Sequence, residues 1–293
     1  MSKKRTKSSI YSNHWQIAWR KRGDAEFLLI SNPKWGWCAD PFLINYNNKT
    51  YLFAEIFLHK SERSGVIGYC EYSDGKWNEW TVSMDRHWHL SYPNVWVENG
   101  KLLMCPESYQ LGEVAIYELD GFPDKWKKVG TLISDVTYCD NTFLDYDDKK
   151  YMFSYERGET GSSNGNGIIC RIENGKIVEK RIFSENRENN RCAGKIIVEN
   201  GHPIRVAQNC EKEYGNSLIF YEIDSLYPHY CEHEIKRVFP DDIHVRSNNH
   251  FIGVHTYNVC NDIEVIDLKY RTFSLSEYFA RKRVKKVFIN KYK

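Results

Sequence analysis

Short apolar runs separated by polar turns recur along the whole chain, and none carries the 3.6-residue spacing of a helix. The run Ala39–Ile44 enters a polar turn over 45–49 and returns as Thr50–Glu55. The same phrase comes back as Tyr92–Val97, a turn over 98–100 and Lys101–Glu107, and again as Asp140–Leu144, a turn over 145–150 and Tyr151–Glu156. A fourth copy runs Cys192–Val198, turn 199–201, His202–Gln208, and an abbreviated fifth runs Val245–Arg246, turn 247–249, His250–Tyr257. Each is followed by a further apolar run: Gly65–Cys70, Gly112–Tyr117, Asn166–Arg171, Asn216–Tyr221 and Asn261–Ile266. Units starting near 39, 92, 140, 192 and 245 have room for roughly four strands of about 5 to 6 residues each, the size of one propeller blade. The pattern predicts an all-β fold, a five-bladed β-propeller over residues 12–275.

A ring of blades must not leave an unpaired edge. His14–Arg20 and Glu26–Ile30 are apolar runs that precede the first unit. One of them is expected to supply the outer strand of the fifth blade, closing the propeller with an N-terminal strand. Residues 1–11 read as a disordered basic arm, and 276–293 as a basic tail.

Composition narrows the function classes. The 293 residues fit one all-β domain, and a formal charge of +2 gives no global reason to expect nucleic acid. No apolar stretch approaches a membrane span, and the basic start lacks the apolar core of a signal peptide, so the expected location is cytoplasmic. The clustered Lys and Arg of the tail suit either a solvated helix or peripheral contact with an anionic membrane. Nine cysteines without C-x-x-C spacing suggest neither disulfides nor zinc. The histidines 87, 89, 244, 250 and 255 lack compact ligand spacing, so no metal is expected, nor any cofactor.

In a blade the start of the first strand and the end of the second meet at one rim. This pairs Asp40 with Glu55, Tyr92 with Glu107 and Asp140 with Glu156 around a central funnel. The fourth and fifth units bring Arg191, Arg205 and Gln208, then Arg246 and His255, so acid is expected to face base across the mouth. Paired carboxyl groups whose pKa values are driven apart are what cleavage of a glycosidic bond needs. Asp40 is the candidate base or nucleophile, Glu107 the acid and Asp140 an orienting charge. Trp37, His89 and Tyr92 are placed to contact a sugar. Ordinary structural roles compete with these: a strand-starting Asp before Pro41, and rim glutamates bridged to neighbouring blades.

Trp37–Phe42 resembles the first-blade signature of five-bladed glycoside hydrolases of the arabinanase, xylosidase and invertase type, in which an Asp before Pro is nucleophile or base. Over residues 14–270 the chain is more similar to the N-terminal domain of plant glucosamine inositolphosphorylceramide transferases and their bacterial stand-alone relatives. The shared elements are Ala39–Phe42, His89–Pro93, Pro106-Glu107, Asp140–Thr142 and Arg205–Gln208. Against the hydrolases, Tyr92 stands where the second blade would carry an acid. The resemblance implies a carbohydrate-active domain, and the expected cytoplasmic location favours one that transfers a glycosyl group in cell-surface glycan (polysaccharide) biosynthesis, with Arg191, Arg205 and Arg246 holding the diphosphate of a nucleotide sugar. The alternatives are a glycoside hydrolase acting on an oligosaccharide and a non-catalytic glycan-binding or scaffold propeller.

Overall fold

A computed structural model describes residues 11–59, 65–158 and 161–273. The described residues begin with β1 (Tyr11–Lys21) and β2 (Leu28–Leu29), and the strands form five sheets. Blade one holds β3 (Gly36–Tyr46), β4 (Lys49–Leu58), β5 (Gly65–Ser73) and the short β6 (Lys76–Trp77) and β7 (Thr81–Met84). Blade two is β8 (Ser91–Glu98), β9 (Lys101–Glu107), β10 (Glu113–Gly121) and β11 (Lys125–Ser134). Blade three is β12 (Tyr138–Tyr146), β13 (Lys149–Gly158), β14 (Gly161–Glu173) and β15 (Lys176–Ser184). Blade four is β16 (Ile197–Glu199), β17 (His202–Asn209), β18 (Ser217–Ser225) and β19 (Cys231–Val238). Blade five takes β20 (Phe251–Cys260) and β21 (Ile263–Phe273), and its sheet order is β2-β1-β21-β20. The fold is a five-bladed β-propeller.

Blade five departs from the expected register. Its inner strand is β20, not the segment at 245, where Val245 makes only an isolated bridge to Phe27. The sheet is therefore one strand short at its C-terminal end, and both N-terminal runs enter it. β1 pairs with β21 from Tyr11↔Phe273 to Lys21↔Ile263, and β2 lies outside β1. Of the basic arm proposed for 1–11, only Tyr11 is described, and it is strand. The tail at 276–293 lies outside the described residues. Among the described residues no helix is long and apolar enough to cross a membrane.

The apolar runs are continuous because blades stack face to face and bury both sides of their inner strands. Phe42, Phe53, Ile67, Val95, Met104 and Trp126 form one such layer between blades one and two. The outer strands β15 and β19 face water on one side, and they alternate or stay polar. Two-residue hairpins set the register. Asn47-Asn48, Asp74-Gly75, Asn99-Gly100, Asp147-Asp148, Asn174-Gly175 and Asn200-Gly201 all have both residues at positive φ, the turn that matches strand twist and favours Asn, Asp and Gly.

Candidate functional site

One irregularity repeats in the inner strands and builds the site. In β3 the pairing slips between Ala39 and Phe42, in β8 between Ser91 and Asn94, and in β12 between Cys139 and Thr142. Each slip is a β-bulge that re-aims a side chain. The residue at its corner has positive φ: 51° at Asp40, 44° at Tyr92 and 53° at Asp140. Left-handed backbone is uncommon for residues other than glycine and tends to persist where the surroundings over-determine it. The second strands put Glu55 opposite Ala39, Glu107 opposite Ser91 and Tyr155 opposite Cys139.

Asp40 sits at the centre of a buried network. Its Oδ1 accepts from the Thr256 hydroxyl at 3.0 Å and lies 3.4 Å from His255 Nε2, and its Oδ2 accepts from the Tyr92 backbone N–H at 3.2 Å. His255 Nδ1 lies 2.7 Å from Asp267 Oδ2, and the same oxygen accepts from the Asp40 N–H at 2.9 Å. The Trp15 ring, carried on β1, stacks on His255 at 3.9 Å. Asp40, His255 and Asp267 hold ligand atoms within 4.8 Å of one another, the one set among the described residues close enough to share a metal ion. Both imidazole nitrogens already face a carboxylate.

Across the mouth, Asp140 Oδ2 accepts from Arg191 Nε at 2.6 Å and from Gln208 Nε2 at 3.4 Å. Arg191 lies against the rings of Tyr155 and Tyr214, at 4.7 and 5.2 Å from their centroids. Glu107 Oε2 accepts from the Asp140 N–H at 3.2 Å. Glu55 lies 3.6 Å from His89 Nε2.

Burial separates these carboxyl groups electrostatically. It pushes Glu107 up to about 8, reinforced by the Asp140 and Asp40 charges and opposed by Arg191. It pushes Asp40 up to about 6, with His255 pulling the other way. Glu55 is driven well up by burial and by Asp40, Glu107 and Asp267, while burial and Arg157 lower His89 to about 4. The His89 imidazole facing Glu55 is thus uncharged near neutrality. Burial disfavours the His255 imidazolium, but Asp267 and Asp40 outweigh it and raise that group above 6.5.

Several expected rim residues are elsewhere. Glu156 pairs in register with Tyr138, one step outside the funnel, and bridges to Lys180 at 2.8 Å; Tyr155 occupies the position equivalent to Glu55 and Glu107. Arg205 is fully buried within the fourth blade, where Glu232 takes two of its nitrogens at 2.9 and 2.5 Å and Phe183 covers it. Arg246 is exposed and pairs with Glu26 at 3.0 Å. Tyr92 is fully buried. Its hydroxyl accepts from the Gly194 N–H at 2.7 Å and meets Thr142 Oγ1 at 2.8 Å, bracing blade two against blades three and four. Trp37 packs flat on Phe57 at 4.7 Å. The expected basic half of the mouth is reduced to Arg191 and His255, against Asp40, Glu55, Glu107, Asp140 and Asp267. Sequence reasoning missed Asp267, an acid set between Ile266 and Leu268 in a strand that also carries Glu264. It also missed Tyr214, which is 43% exposed beside His255 and Arg191.

The family model of the glucosamine inositolphosphorylceramide transferase 1 N-terminal domain matches residues 30–267, most of the chain: blades one to four and the inner part of blade five. The chain belongs to that family. It is 27% identical over 200 residues to glucosamine inositolphosphorylceramide transferase 1 of Oryza sativa subsp. indica, and 26% over 199 residues to that of Arabidopsis thaliana. Each alignment covers 64% of this chain and 26% of the relative, so the chain spans about a quarter of the plant proteins it matches. Solved structures share the family's propeller. The α-L-arabinofuranosidase PaAbf62A of Podospora anserina superposes with a TM-score of 0.62 at 11% identity, covering 84% of both chains. A β-xylosidase/α-arabinofuranosidase from a compost microbial metagenome gives 0.58 at 12%, covering 86% of this chain and 94% of its own.

Proposed function

We propose that this propeller acts on glycosidic bonds at its funnel, Glu107 serving as proton donor and Asp40 as base or nucleophile. The observation that supports this reading is the separation of the two acids. Near pH 7 a carboxyl group with a pKa of about 8 is mostly protonated and one of about 6 is mostly ionised. Asp140, clamped by Arg191 and Gln208, orients Glu107 through its backbone N–H. Tyr214, the exposed ring at the mouth, is the platform for a sugar face.

The balance of charge bears on the substrate. With Arg205 and Arg246 engaged elsewhere, a diphosphate would meet only Arg191 and His255 as cations, set against Asp40, Asp140 and Asp267. A neutral or cationic glycosyl group suits the mouth better, and an amino sugar, of the kind named in the plant relatives, carries such a charge. Transfer of that group to an acceptor, rather than to water, is favoured by family membership.

The test is a panel of aryl glycosides, amino sugars included, incubated with and without an alcohol acceptor, and the products separated by mass. Release of the aryl group by the wild type, with about 10²–10⁴-fold loss in Glu107→Gln and Asp40→Asn, is the expected result. Turnover confined to nucleotide sugars, or undiminished in both variants, would overturn it.

A further inference from the structure

A second cavity, of about 520 Å³, opens at the other end of the inner strands. Ile44 lines it, four residues along β3 from Asp40, which places it about 13 Å from the acidic mouth. The Tyr92–Thr142–Gly194 contacts lie between the two. The cavity is a slot running outward between blades two and three. Its inner end is Lys195 and Ile196 beside the channel, its walls include Trp96 and Phe143, and its outer end is Leu132 on the last strand of blade two.

The polar groups in this slot are unevenly satisfied. Lys150 reaches Glu98 at 2.8 Å and Asp145 at 3.8 Å, so its charge is met twice. Lys195 has no carboxylate partner among the described residues; its Nζ donates only to the Leu43 carbonyl at 2.8 Å. The Trp96 indole N–H is buried without an acceptor. An ammonium in apolar surroundings with no counter-ion is costly, and burial lowers Lys195 to about 8. The slot thus offers one uncompensated cation at the inner end of a long apolar wall, within the roughly 300–1,000 Å³ range of small-molecule sites.

We propose that the slot binds an amphiphilic carboxylate, its acyl chain lying between blades two and three and its head group on Lys195. A single charge matches a carboxylate rather than a phosphate monoester. The apolar lining from Trp96 and Phe143 out to Leu132 matches an acyl chain.

Calorimetric titration with decanoate, decanol and decylamine tests the proposal on the intact protein. Decanoate should bind, decanol more weakly, and decylamine least. Lys195→Met should weaken decanoate by about tenfold or more while leaving decanol unchanged, which also shows that the variant is folded. Ile116→Trp, which fills the slot from β10, should abolish both and leave the funnel's ligands unaffected. Decanol binding as tightly as decanoate, decanoate affinity unchanged in Lys195→Met or in Ile116→Trp, or no decanoate binding at millimolar concentration would each overturn it.

Discussion

Replacing Glu107 by Gln should stabilise the protein, and by more as pH rises. The carboxyl group moves from an ordinary 4.5 to about 8 in the folded chain, so folding holds its proton. A folded pKa above the unfolded one means that the stability this group contributes is fully present below 4.5 and is lost as pH climbs through 8. At 1.36 kcal/mol per pH unit the loss is about 3 kcal/mol by pH 7 and about 5 kcal/mol by pH 9. Glutamine titrates nowhere, and its side-chain carbonyl still accepts from the Asp140 N–H. Urea unfolding of wild type and Glu107→Gln at pH 5, 7 and 9 should therefore give curves that nearly coincide at pH 5 and separate progressively above it. A stability difference that stays flat over this range would refute the assignment of Glu107 as a buried, proton-holding acid, and with it the proposed donor.

Tyr92→Phe keeps the ring but orphans the Gly194 N–H, and should cost about 1–3 kcal/mol in chemical denaturation without changing ligand affinity at the funnel. Arg205→Met leaves Glu232 buried beside no cation and should cost about 3–5 kcal/mol by the same assay, whereas Arg246→Met at the exposed Glu26 pair should cost under about 1 kcal/mol. Gly194→Ala should prevent soluble expression, because a Cβ there would stand 2.0 Å from the Tyr257 carbonyl on a residue whose φ is +118°; an unchanged melting temperature would contradict the close approach of blades four and five.

The blade count was legible because each hairpin carries its own turn chemistry and each inner strand its own apolar run. Asp40, Glu107 and Asp140 were legible because their positions repeat from unit to unit. Glu156 misled because it stands off that repeat. The bulge falls at the same place in all three blades, so the residue facing the funnel is the one at the same spacing as Glu55 from Asp40 and Glu107 from Tyr92; counted from Asp140 that is Tyr155, and Glu156 is one residue too far along. Arg205 misled because a buried guanidinium with a dedicated glutamate looks, in sequence, like any rim arginine; its partner Glu232 lies two strands away. Asp267 and the true start of blade five were hidden together, since assigning 245 as an inner strand moved every later segment one place outward.

The stack of Trp15 on His255 ties the funnel to a pairing between the first and last described strands. β1 meets β21 across about 250 residues of intervening chain, and contacts that distant in sequence form slowly because their loop must close first. Until they form, His255 has no ring beneath it and the Asp40 network lacks one wall. Site assembly in this propeller is thereby a reporter of complete folding: a nascent or partly opened ring holds the acids of blades one to three in place, yet presents an unfinished mouth.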